Sequence, residues 1–216
     1  MPYQVVRPIF EPLIKKKFRQ VSGKENLPTK PPFILAANHI GYLDPIALVI
    51  LILQLYNLPT YYLTIHYMWW IWGGPLATHW LAMIHVKYGH RKDSLKAAIN
   101  NINNGNIVGI FPEGTRNPDS RSLLRGKTGA VRLALATGAP LIPVGFKNNT
   151  GHRIGKAFRS LWQSDKYIDI TFGQALDLSE FANKEIDKLL LKAATHKLML
   201  AISQLCGKKY PFEIEN

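Results

Sequence analysis

With 216 residues, 47% of them hydrophobic, the chain is long enough to bury one sizeable core, and its single cysteine, Cys206, excludes an internal disulfide framework or a multi-cysteine metal site. Lys and Arg number 27 against 14 acidic residues, giving a net charge of +13, which suits an anionic partner: nucleic acid, anionic lipid, a phosphorylated substrate or an acidic protein. The amino terminus lacks the uninterrupted apolar core and small-residue cleavage site of a secretory signal, so no secretion is expected.

Residues 1–32 read as a basic amphipathic arm. Apolar pairs at helical spacing (Val5-Val6, Ile9-Phe10, Leu13-Ile14) are followed by Lys15, Lys16, Lys17 and Arg19. The pattern fits a surface helix resting on anionic headgroups, and equally an arm packed on the domain with a solvated basic end. Pro28, Pro31 and Pro32 then lead into the main domain, expected over 33–216.

The run FILAA, 33–37, has the composition of a short buried strand and stops abruptly on Asn38 and His39, with Gly41 and Asp44-Pro45 following. Ligands of α/β proteins sit in the crevice beyond the carboxyl ends of strands, which is where this polar cluster falls. Imidazole has an unperturbed pKa of roughly 6.5 and can accept a hydroxyl proton without a metal. Asp44 lies five residues on, and a tight turn at Gly41 would let its carboxylate hold one ring nitrogen while the other faces substrate. Asp44-Pro45 also reads as an N-cap and first helical residue ahead of IALVILIL, and a carboxylate has oxygens enough for both tasks.

Two apolar stretches invite testing as membrane spans. The helix expected over about 45–57 is apolar on every side but falls short of the ~20 residues a bilayer requires. Residues 67–84 are broken by Gly73, Gly74, Pro75 and His79, so no conventional spanning helix is expected. YYLTI at 61–65 has the composition of a strand, and Trp69, Trp70, Trp72 and Trp80 then fall within a dozen residues. Tryptophan favours the boundary between hydrocarbon and water, with core packing as the rival reading. Because these rings sit among aliphatics, not among Lys and Arg, and no nucleic-acid motif is present, a nucleic-acid-binding module is disfavoured.

Strands are expected at 82–87 and 107–111, with a helix between them closed by Gly105. The second of these strands ends on PEGTRN. Gly114 allows close backbone approach to a ligand, and Arg116 offers a planar fork suited to phosphate. A helix ending near Gly138, a strand in PLIPVGF, a basic loop around Arg153, Lys156 and Arg159, a strand in YIDITFG and a closing amphipathic helix complete the chain. Strand and helix thus alternate, which argues for an α/β domain with a central, largely covered sheet flanked by helices.

The pairing of NHxxxxD (Asn38, His39, Asp44) with FPEGTR (Phe111 to Arg116) about 70 residues later resembles the glycerolipid acyltransferases, the family of 1-acylglycerol-3-phosphate acyltransferases. PLIPVGF with Pro143 and the stretch GKTGAVRLA match later family segments, and the resemblance covers roughly 33–147. It implies transfer of a fatty acyl group from an acyl thioester, acyl-CoA or acyl carrier protein, to the hydroxyl of a lysophospholipid or other phosphorylated glycerol at an anionic, cytoplasmic-side membrane surface. His39, oriented by Asp44, would be the general base; Arg116 would hold the acceptor phosphate; Glu113, Gly114 and Thr115 would position its polar part or brace the loop. Lys127 is a further candidate for anion contact. Where family members often carry an arginine before the helix that precedes FPEGTR, this chain reads IHVKYGHRKD, with Lys87 or Arg91 in its place. No cofactor or metal is implied. There is no G-x-S-x-G elbow, and Cys206 lies far along the chain from both motifs, so direct attack within a ternary complex is the simplest chemistry. A lipid hydrolase that activates water with the same His and Asp is the nearest enzymatic rival, and transfer to glycerol 3-phosphate or another lysolipid the nearest variant.

Overall fold

The apolar run ahead of Asn38 is the middle strand of a seven-stranded sheet. In the computed structural model, which describes residues 3, 7–71, 73–86, 91–181 and 184–214, the chain runs α1 (Arg7–Lys15), β1 (Phe18–Ser22), β2 (Phe33–Ala37), α2 (Leu43–Tyr56), β3 (Thr60–Ile65), α3 (His66–Ile71), α4 (Pro75–Trp80), β4 (Met83–Val86), α5 (Arg91–Asn103), β5 (Ile107–Ile110), α6 (Gly129–Thr137), β6 (Leu141–Asn148), α7 (Ile154–Ser160), β7 (Ile168–Phe172) and α8 (Lys188–Cys206). The sheet order is β1-β7-β6-β2-β5-β3-β4. β2 pairs in parallel with β5 and β6, and β3 in parallel with β5 and β4. β7 is antiparallel to β6 and parallel to β1.

All five residues of β2 are buried, because helices cover both faces. Side chains alternate across a strand, so Phe33, Leu35 and Ala37 pack with Leu48 and Ile52 of α2, while Ile34 and Ala36 pack with α5, α6 and α8. α2 reads as apolar on every side because it is sunk into the first of these layers, with nine buried residues in fourteen.

Three segments depart from the sequence reading. Residues 18–22, placed in the arm, form the edge strand β1, tied to β7 by the ion pair of Arg19 with Asp169. An edge strand with one wet side shows little apolar alternation, which is why the pattern missed it. The basic run is likewise not wholly solvated: Lys17 is buried, and its Nζ donates to the Gln163 carbonyl at 2.6 Å. The loop expected around Arg153 contains α7, whose seven residues are too few to display a helical period.

The tryptophan segment folds as α3 and α4, joined at Gly73 and Gly74, both with positive φ. Trp69 stacks on His85 at 4.0 Å, whereas Trp70 is 58% exposed and Tyr67, Ile71 and Leu76 are also exposed. Among the described residues, no helix is long and apolar enough to cross a membrane. Trp72 lies outside those residues, as do the side chain of Trp80 and Val5 and Val6 of the arm.

Candidate active site

Where β2 ends, the buried Asn38 side chain joins it to β6. Asn38 Nδ2 donates to the Phe146 carbonyl at 3.1 Å, and the Phe146 amide donates back to Oδ1 at 2.7 Å. The chain then turns through Gly41 with its backbone against the loop after β6; a Cβ there would lie 2.6 Å from the Gly151 carbonyl oxygen. Only glycine leaves room for that approach.

The turn returns Asp44 beneath His39. α2 begins one residue before Asp44, so this carboxylate sits in the helix's first turn and not at its N-cap, correcting that alternative. Asp44 is fully buried. Oδ2 accepts from His39 Nδ1 at 2.9 Å, from the Ile40 amide at 2.5 Å and from the Gly41 amide at 2.8 Å; Oδ1 accepts from Asn148 Nδ2 at 2.7 Å. Four donors and a helix amino terminus offset the desolvation of a lone buried carboxylate. They also decide its geometry. With Nδ1–H donating to Asp44, the imidazole lone pair falls on Nε2, which no described residue bonds. The His39 side chain stays 16% exposed, its ring stacked on Phe111 at 4.1 Å, and Phe111 in turn stacks on Tyr62.

The second motif leaves β5 beside the first. Glu113 is 3% exposed. Its Oε1 accepts from the His39 amide at 3.0 Å, while Oε2 accepts from Asn117 Nδ2 at 2.8 Å and the Leu124 amide at 2.9 Å. Of the two tasks the sequence leaves to Glu113, these contacts fit bracing. The Asn117 amide donates to the His39 carbonyl at 2.6 Å, so both polar groups of the His39 backbone are held by the FPEGTRN segment.

Gly114, with φ of 69°, turns that segment outward and, like Thr115, is exposed. A Cβ at 114 would overlap the Lys127 ammonium, which lies over this turn and brings a second cation to it. The Arg116 guanidinium stacks over the Tyr42 ring with Cζ 3.8 Å from its centroid, and Nη1 donates to the His152 carbonyl at 3.2 Å. The remaining guanidinium donors are available to an anion. His39, Asp44, Gly114, Arg116 and Lys127 are thus gathered at the carboxyl edge of β2 and β5. Lys87 lies outside the described residues, and so does the side chain of Arg91.

Three contributors escape the motif reading: Asn148, Asn117 and Tyr42. Asn148 closes β6, which runs parallel to β2, so the rule about strand ends that singles out His39 points to it as well. Asn117 is the residue after FPEGTR, and Tyr42 lies inside NHxxxxD at a position the motif leaves free. Cys206 is buried in α8, and burial pushes its thiol above the ordinary range, which lowers its thiolate fraction.

An imidazole fixed by a buried carboxylate, with its free nitrogen turned out and cations nearby, can take a proton from a hydroxyl on an anionic substrate. Comparison with known proteins agrees in class. The family model described as Acyltransferase matches residues 18–147. The chain is 32% identical over 195 residues to a 1-acyl-sn-glycerol-3-phosphate acyltransferase of Bacillus subtilis (strain 168), covering 88% of each chain. It is 29% identical over 187 residues to a protein of the same name from Borreliella burgdorferi, covering 82% of this chain and 70% of that one. Among solved structures, the crystal structure of the 1-acyl-sn-glycerophosphate acyltransferase PlsC from Thermotoga maritima matches with a TM-score of 0.61, at 22% identity, over 93% of this chain and 79% of that chain. At that identity the likeness is one of fold.

Proposed function

This chain belongs to the acyltransferase family, and from that premise we propose that it moves a fatty acyl group from an acyl thioester to the free hydroxyl of 1-acyl-sn-glycerol 3-phosphate, giving phosphatidic acid. The observation that carries the reading is the His39–Asp44–Asn148 chain of hydrogen bonds, with Arg116 and Lys127 at the same sheet edge. The names of the two curated relatives support the choice of acceptor.

His39 Nε2 takes the acceptor's hydroxyl proton as that oxygen attacks the thioester carbonyl. The tetrahedral intermediate collapses with cleavage of the C–S bond, and the imidazolium returns the proton to the departing thiolate. Asp44 stabilises the imidazolium between these steps and holds the ring in the tautomer that leaves Nε2 free; a positioned base of this kind contributes about 10² to 10⁴ in rate. Arg116 binds the acceptor phosphate with its unused guanidinium donors, and Lys127 adds charge at the Gly114 turn. The reaction consumes no cofactor: acyl-CoA or acyl carrier protein enters as co-substrate. The lysolipid and its product reside in bilayers, so the enzyme works as a peripheral or monotopic protein at an anionic cytoplasmic-side surface, held by the arm and the exposed residues of α3 and α4.

The test is purified protein with labelled acyl-CoA or acyl carrier protein, with and without lysophosphatidic acid. Phosphatidic acid that forms only when the acceptor is present is the expected result. Release of free fatty acid at the same rate with or without acceptor would make it a hydrolase.

A further inference from the structure

Between β6 and β7 the chain makes an excursion, 149–167, that leaves and re-enters the sheet at one place. Asn148 and Ile168 are register partners, the Tyr167 amide donates to Asn149 Oδ1 at 2.8 Å, and Gln163 is held by Lys17, just ahead of β1. Because β6 is parallel to β2, and β7 and β1 run the opposite way, all these points lie on the edge that bears His39. The excursion touches the site directly: its His152 carbonyl accepts from Arg116, and its Gly151 backs Gly41.

The excursion has two sides. Ala157, Ser160 and Leu161 are buried, and Phe158 packs edge-on against Phe10 of α1. On the outer side, Arg153, Lys156 and Arg159 border one shallow hollow together with Gly155. The sequence from 153 to 162, RIGKAFRSLW, contains no acidic residue, and these three cations have no ion-pair partner among the described residues. Trp162, on the next turn, is 71% exposed, and Ile154 is exposed as well.

Unpaired cations bordering a hollow fit phosphate. An exposed tryptophan on the turn that follows them fits the boundary between headgroups and acyl chains better than it fits a soluble acidic protein. Resting on the reading that the acceptor is a bilayer lysolipid, we infer that this face of α7 is a membrane-contact surface: Arg153, Lys156 and Arg159 bind the phosphates of anionic phospholipids, and Trp162 with Ile154 seats in the interface. In the sheet order, β3, which runs into α3, and β6, which leads to α7, lie on opposite sides of the β2–β5 pair. The bilayer therefore meets the carboxyl edge on both flanks of His39, and a lysolipid passes from the leaflet to Arg116 without crossing water.

The experiment uses the full chain and two variants, R153Q/K156Q/R159Q and W162F. Flotation is measured with phosphatidylcholine vesicles, with and without phosphatidylglycerol, and turnover with lysophosphatidic acid in detergent micelles. Wild type floats with the anionic vesicles; the triple variant binds them about a hundredfold more weakly, from the usual contribution of each juxtamembrane cation, and keeps its micellar turnover. Brominated anionic lipid quenches wild-type tryptophan emission more than that of W162F, a readout that does not depend on the triple variant folding. Equal flotation of wild type and triple variant, or equal quenching of wild type and W162F, overturns the surface and leaves the acyl-transfer reading standing. Normal flotation with loss of turnover only on acyl carrier protein overturns it in favour of an acidic protein. Absence of transfer even in micelles defeats the functional reading itself.

Discussion

Glu113 Oε1 accepts the backbone N–H of His39 at 3.0 Å, so two motifs separated by 74 residues form one rigid corner. Removing that carboxylate takes the acceptor from the part-buried amides of His39 and Leu124, and leaves Nδ2 of the buried Asn117 side chain with the Ser122 carbonyl alone. Glu113→Ala is expected to cost about 3 kcal/mol or more, roughly 6–12 °C in Tm, and to lower kcat together with stability. Thr115→Ala, on the exposed tip of the same loop, is expected to stay within about 0.5 kcal/mol of wild type. Thermal denaturation of both variants checks the contrast; comparable losses would show that Glu113 is no brace.

His39→Ala is expected to lower kcat by about 10² to 10⁴ with a circular dichroism spectrum like that of wild type. Asp44→Asn is expected to lower kcat as well, because its oxygen keeps the Ile40, Gly41 and Nδ1–H contacts while the neutral amide no longer stabilises the imidazolium that forms when His39 takes the proton. An Asp44→Asn enzyme that kept wild-type kcat would remove that role.

Asn148 acts one step further out, through Asp44. Asn148→Ala is expected to reduce kcat about tenfold while leaving the KM for both substrates within about twofold, since its side chain is held by Asp44 and Thr150. Steady-state kinetics on both substrates decide it. A rise confined to KM would place Asn148 in a substrate site instead.

Arg116 stacks on Tyr42, and its fork cannot be reproduced by an ammonium. Both Arg116→Ala and Arg116→Lys are expected to lower kcat/KM for the phosphorylated acceptor by about 10- to 100-fold, with the KM for the acyl donor little changed. Full recovery in the lysine variant would reduce the residue to a point charge.

Burial raises the Cys206 thiol above its ordinary range, so less of it is thiolate at any given pH. The native protein is expected to react slowly with thiol reagents at pH 8 and promptly in denaturant, and Cys206→Ser to retain activity. Rapid native labelling accompanied by inactivation would reopen a covalent mechanism.

What the sequence determined unaided was everything carried by neighbouring residues. The alternation of short apolar runs with amphipathic stretches gave an α/β domain, and β2, β5 and β6 lie where composition puts them because a strand buried on both faces must be apolar throughout. His39 and Asp44 were legible for a related reason: five residues around one glycine leave the chain few ways to turn. The tertiary structure alone decided which strand lies beside which, and hence that β1 joins the sheet, that Asn148 reaches Asp44 across 104 residues, and that the Glu113 carboxylate holds the His39 amide. Local periodicity reports which side of an element is dry; it carries no information about the distant group that will satisfy a buried polar atom, because that partner is chosen by the packing of the whole sheet.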